Sequence, residues 1–111
     1  MQDPEKPVIM SITGFSFPIK EINYIEVYNH TLLYHTAGGS FSSTDGKSMR
    51  RLADDLKDDG FALCNQCYLV NLHRVEALDR DSITMKSGER LKISRNRYKE
   101  FKHLLISYWG E

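Results

Sequence analysis

Two stretches of the chain bring together side chains that could do chemistry. The first is Cys64-Asn65-Gln66-Cys67, whose Cys-x-x-Cys spacing occurs in redox pairs and in structural zinc sites. Phe61, Leu63, Tyr68, Leu69 and Val70 surround it, and such residues favour a strand over the helix N-terminus where a reactive thiol gains from the dipole. On a regular strand two residues three apart point to opposite faces, so the sulfurs diverge unless a bulge at Asn65-Gln66 undoes that parity. Zinc needs two further ligands, and His30, His35, His73 and His103 qualify by residue type alone, without paired-ligand spacing. Two buried, inert cysteines are the plainer expectation, with no metal and no cofactor.

The second stretch is Lys92-Ile93-Ser94-Arg95-Asn96-Arg97-Tyr98-Lys99. Ser94 is a good N-cap and puts Arg95, Asn96 and Arg97 in the first turn of a helix, beside free backbone amides. Amides and dipole favour an anion there, whereas cations at that end are mildly unfavourable and call for an external anion such as a phosphate oxygen. A guanidinium so placed can also pair with O6 and N7 of guanine. His30 falls in a polar interruption and is expected at the surface, while His35 reads as a satisfied structural histidine in a strand. No Ser/His/Asp arrangement, glycine-rich phosphate loop or carboxylate pair emerges, so neither an enzyme nor a small-molecule substrate is indicated.

Composition narrows the class. At 111 residues the chain is expected to be one domain, and 41% hydrophobic with 27% charged residues describes an ordinary globular chain. No apolar run approaches the roughly 20 residues of a membrane span, and no secretory pattern opens the chain, so a cytoplasmic protein is expected. The net charge of zero hides an asymmetry: residues 1 to 85 hold 8 Lys or Arg against 12 Asp or Glu, and residues 86 to 111 hold 7 against 3. The basic run therefore lies in the positive part of the chain.

The elements that must position these residues follow from periodicity. Residues 1–7 read as a flexible lead-in, and Val8, Met10, Ile12, Phe15 and Phe17 alternate as one strand that Pro18 ends. Residues 22–27 form a second strand with Ile22 and Tyr24 on one face and Ile25 and Val27 on the other, both faces partly covered. Residues 31–36 form a third, followed by a glycine turn at Ala37-Gly38-Gly39-Ser40 and a short strand near Phe41. Asp45 or Ser43 is expected to cap a helix over 47–57, with Met49, Leu52, Ala53 and Leu56 as its apolar stripe and Gly60 as its stop. The central run then reads as a strand interrupted at Asn65-Gln66. Strands follow at 75–78, 82–85 and 90–93, then a last helix docked through Tyr98, Phe101, Leu105 and Tyr108, with Arg97, Lys99 and Lys102 more outward. The fold class is mostly β, with one mid-chain and one C-terminal helix.

The ordered series Glu21-Ile22-Asn23-Tyr24-Ile25-Glu26, Leu33-Tyr34-His35-Thr36, Leu52-Ala53-Asp54-Asp55-Leu56, residues 60–72, and Gly88 through Ile93-Ser94-Arg95 resembles the LytTR family. These are DNA-binding output domains of bacterial response regulators, and the resemblance runs over about residues 8 to 105. It implies an elongated multi-stranded LytTR-like β fold over residues 8–109. It also implies recognition of promoter DNA by loops set into successive major grooves, usually at tandem direct repeats, where two copies can sit as a homodimer. Carried over position by position, the resemblance makes His30, Gln66 and Arg95 the DNA-contacting residues, with Arg95 a base reader. Asn65, Lys92, Asn96 and Arg97 are added from position and chemistry as phosphate or sugar contacts.

One departure stands out. Many family members carry His-Arg where this chain has Asn65-Gln66, so the central loop lacks a positive charge. Gln can still read adenine through N6 and N7, and the missing charge implies a shallower salt dependence. Sequence-specific DNA binding for transcriptional regulation is the leading expectation. The alternatives are a protein-interaction module of the same fold and a Cys64/Cys67 thiol switch.

Overall fold

Two apolar clusters lie on opposite faces of one sheet, and the layers follow from them. The structure is a computed structural model and describes residues 7–9, 16–43 and 48–109. Its centre is a five-stranded antiparallel sheet of β3 (Ile22–Tyr28), β4 (Thr31–Thr36), β5 (Gly39–Ser43), β6 (Phe61–Asn65) and β7 (Tyr68–Asn71), in the order β5-β4-β3-β7-β6. A hairpin of β1 (Pro7–Ile9) and β2 (Ser16–Pro18) precedes it. A three-stranded meander of β8 (Val75–Leu78), β9 (Ser82–Met85) and β10 (Arg90–Lys92) follows it.

One face of the central sheet packs Ile22, Ile25, Leu32, Tyr34, Phe61 and Leu69 against Met49, Leu52 and Leu56 of the α1 region, where α1 is Met49–Asp55. The other face packs Tyr24, Ala62, Cys64 and Val70 against Val75, Ile83, Met85, Leu91 and Ile93 of the second sheet. Phe101 and Leu105 of α2 (Arg95–Trp109) close the same cluster. Alternation along β6 and β7 thus feeds both cores, as a sheet covered on both sides requires.

Several sequence expectations shift for identifiable reasons. The single strand expected from Val8 to Phe17 is two strands that pair antiparallel, Val8 opposite Phe17, and the first begins at Pro7. Met10, Ile12 and Phe15 lie outside the described residues. In β3 a register shift between Ile22 and Tyr24 puts Ile22 in the same cluster as Ile25 rather than with Tyr24, because a bulge inverts the two-residue period. The α1 N-cap is Ser48, whose hydroxyl accepts from the Arg51 amide at 3.1 Å. Ser43 belongs to β5 instead, and Asp45 lies outside the described residues. The helix is shorter than 47–57, passing through Leu56 into a 3-10 turn at Lys57–Asp59. The glycine turn centres on Ala37-Gly38, with Gly39 already opposite Thr36 in β5.

The central run is not one interrupted strand. It reverses at Gln66-Cys67 into a two-residue hairpin, with Asn65 opposite Tyr68. That reversal separates the cysteines: Cys64 is fully buried and Cys67 is exposed, so only one of the two expected buried thiols is buried. Burial pushes the Cys64 thiol up to about 12 from its ordinary 9.0. The raised value means that its neutral form is favoured on folding. Its contribution to stability is present below pH 9.0 and is lost as pH climbs through about 12.

Gly60 ends the α1 region as expected, with φ of 88°. A Cβ there would lie 2.9 Å from His73 Nε2, and His73 itself packs edge-on against Tyr108 with ring centroids 4.7 Å apart. This turn therefore seats the far end of α2. Replacing Gly60 with Ala should destabilise the fold by roughly 2 kcal/mol, about 1–2 from the left-handed backbone alone, read from urea denaturation. Thiol labelling near neutral pH should modify Cys67 in the native protein and leave Cys64 untouched until denaturant is added; equal labelling of both would contradict the buried assignment.

Candidate nucleic-acid interface

Of the expected contact residues, His30, Asn65, Gln66, Lys92 and Arg95 sit in or beside three connections that hydrogen bonds hold together at one end of the central sheet, whereas Asn96 and Arg97 lie elsewhere on α2. The β3–β4 connection is the two-residue turn Asn29-His30, with φ of 51° and 63°. Positive φ at both positions is the hairpin geometry that Asn-Gly fills with least strain. Asn29 and His30, both exposed, are of the side-chain types that enter this left-handed region more readily than most. Thr31 and Tyr28 close the turn as opposite partners.

The second loop, Gln66-Cys67, lies beside the first because β3 pairs with β7. The Val27 amide donates to the Cys67 carbonyl at 3.0 Å, one residue from where β3 ends at Tyr28. Gln66 is exposed at the tip. Asn65 is not free to reach outward. Its Oδ1 accepts from the Cys67 amide at 2.7 Å and the Tyr68 amide at 3.1 Å, which makes a side-chain-closed turn. Its Nδ2 donates to the Lys92 carbonyl at 2.6 Å.

That last bond attaches the third loop, the β10–α2 junction. The Ser94 amide donates to the Cys64 carbonyl at 2.9 Å, and the Ser94 hydroxyl donates to the same oxygen at 3.3 Å. Ser94 thus occupies the position before α2, yet its hydroxyl is directed at β6. The Ile93 amide donates to the Asp81 carbonyl at 3.0 Å, tying the junction to the β8–β9 turn as well. Lys92 and Arg95, both exposed, line a hollow of about 650 Å³ with Arg80, Asp81, Ser94 and Tyr98.

The basic run itself is divided. Arg97 is half-buried and lines a different cleft, between α1 and α2, so the outward position expected for it is not found. Asn96 and Lys99 face a third hollow with Lys102, His103 and Ile106. A helix rotates about 100° per residue, so three consecutive side chains cannot share one surface. Arg80 enters the site from the β8–β9 turn. It falls between the strands expected at 75–78 and 82–85, but its proximity to Lys92 and Arg95 is set by the tertiary fold.

Behind the loops, His35 is a satisfied structural residue as expected. It stacks on Tyr24 at 4.3 Å, and its ring nitrogens meet Glu26 Oε1 at 2.9 Å and Ser40 Oγ at 2.8 Å. Burial first, then the carboxylates of Glu89 and Glu26, pushes the Tyr24 hydroxyl up to about 12, so it remains a neutral donor. Among the described residues no cluster of three or more His, Cys, Asp or Glu could hold a metal, and no helix is long and apolar enough to cross a membrane.

Compared with known families, residues 14–106 match the one described as the LytTr DNA-binding domain. No curated protein matches the sequence. Among solved structures the fold is similar to one titled as the LytTr DNA-binding domain of a methyl-accepting/DNA response regulator from Bacillus cereus. That structure has 21% identity and a TM-score of 0.74, covering 91% of this chain and 97% of its own. The likeness extends to the two helices and the strand-rich architecture. By the family match over most of its length, the chain belongs to the LytTr family of DNA-binding domains.

Proposed function

We propose that this chain binds double-stranded DNA sequence-specifically to regulate transcription, setting three loops into successive major grooves at tandem direct repeats. It acts as the output module of a two-component response regulator in the cytoplasm, without catalysis, and two copies occupy a tandem site as a homodimer. The DNA-binding unit expected over residues 8–109 also takes in Pro7, which pairs with Pro18. Arg95 reads a base edge, His30 and Gln66 contact bases from the two hairpin turns, and Lys92 and Asn96 hold the sugar-phosphate backbone. Asn65 acts indirectly, by positioning, and Arg97 is left out of the contacting set.

The observation that carries this reading is the bond from the Asn65 amide to the Lys92 carbonyl, which joins the β6–β7 turn to the end of β10 just before α2. It puts Gln66 and Arg95 on neighbouring loops, while the Val27–Cys67 bond adds the His30 turn. His30 supports it from another side, since its side chain is exposed at the tip of the β3–β4 turn and serves neither core cluster. A uniform coat of positive charge is absent, so base reading rather than phosphate attraction must supply most discrimination.

Selection of bound duplexes from a random pool should return a repeated motif, and a pool no richer after selection would favour the protein-interaction module. At the selected site Arg95→Ala should cost about 1–3 kcal/mol and relax one base preference. Asn65→Asp keeps the acceptor for Cys67 and Tyr68 but removes the donor to Lys92. It should weaken specific binding by about tenfold, or 1.4 kcal/mol, while the far-ultraviolet spectrum stays native. Wild-type affinity in that variant would remove Asn65 from the positioning role.

A further inference from the structure

We propose that the cleft between α1 and α2 binds a free α-amino acid with an apolar side chain, held as its zwitterion. The cleft has a volume of about 330 Å³, enough for a small molecule. It lies along β6, an edge strand of the central sheet, where the two helices approach from opposite faces. Phe61, Leu72 and Phe101 form a buried floor, and Leu63 and Leu104 are half-buried walls.

Four charged residues rim this apolar floor. Asp54 and Lys57 come from the α1 side, and Arg97 and Glu100 from α2, so each wall offers one carboxylate and one cation. None of these four side chains has a hydrogen bond or ion pair to another described residue. Arg97 matters most. It is half-buried in the first turn of α2, where the helix dipole disfavours a cation, and its fork of donors suits a carboxylate bidentately.

The rim chooses among anions. A phosphate or dicarboxylate brought to Arg97 would also meet the carboxylates of Asp54 and Glu100 on the same rim, whose like charge opposes it. A carboxylate carrying an ammonium on the adjacent carbon answers both signs at once. The substituent on that carbon is then directed to Leu63 and Leu104, which favours leucine, methionine or phenylalanine over polar amino acids.

The test is a titration of the isotope-labelled, DNA-free chain followed by NMR, with L-leucine and L-phenylalanine as ligands. The analogues 4-methylpentanoate, which lacks the ammonium, and 3-methylbutylamine, which lacks the carboxylate, serve as comparisons. Saturable shifts confined to amides around Ala53, Leu63 and Leu104 are expected, with both analogues at least about tenfold weaker. Arg97→Gln and, on the opposite wall, Asp54→Asn should each weaken the amino acid about tenfold, while Lys86→Gln in the β9–β10 turn should not. Asp54 is an exposed residue of the cleft rim, so its variant stays informative if the Arg97 variant fails to fold. No saturable shift up to about 10 mM, analogues that bind as well as the amino acid, or undiminished binding in the folded variants would overturn the proposal. Because DNA is absent, the outcome is independent of the DNA-binding reading.

Discussion

The Asn65 side chain is the constraint on which the candidate interface depends. A two-residue hairpin leaves amides at its tip that must find partners, and Asn65 Oδ1 takes two of them, from Cys67 and Tyr68. The remaining half of the same amide reaches across to the Lys92 carbonyl. Ser94 makes the parallel connection to Cys64 through its backbone and hydroxyl. Three bonds therefore hold the β10–α2 junction, at Lys92 and Ser94, against the end of β6, immediately before Arg95 opens α2.

Around that junction the architecture is a sheet buried on both faces. Leu69 and Val70 of β7 are both fully buried although they point in opposite directions, one into the α1 layer and the other into the α2 layer. A small domain seldom has enough apolar surface for two cores, and this one manages by sharing its central strands between them. The arrangement also leaves β6 at the sheet edge with a helix on either side, which is how the cleft with charges of both signs arises. The cleft does not repeat the charge sorting of the sequence, because Asp54 and Lys57 on the α1 side face Arg97 and Glu100 on α2, one carboxylate and one cation on each wall.

Much of this was legible in the residues. The strands at 31–36, 75–78 and 82–85, the stop at Gly60, the docking of α2 through Phe101 and Leu105, and the structural role of His35 follow from local preference and period, which act over a few neighbours. The family was legible too, through ordered motifs rather than any one of them. Local pattern did less well where one inserted residue changes a face: the bulge in β3 regroups Ile22 with Ile25, and the reversal at Gln66-Cys67 separates two cysteines that read as alike. The cap at Ser48 in place of Ser43 or Asp45 is a smaller case of the same kind.

The sequence by itself determined most of the strand and helix segments, many of the residues apolar enough to be buried, and that a basic helix start follows a short strand. Tertiary structure alone decided which of those basic residues stand together. Lys92 and Arg95 meet Arg80 from another turn, whereas Arg97, two positions further on, turns into the α1–α2 cleft. The physical reason is that helical rotation distributes neighbours over different faces, and the identity of each face is set by what packs against it from distant parts of the chain. Asn65 shows the same division: its turn-forming preference is local, but its bond to Lys92, 27 residues away, exists only because two sheets and a helix close around it.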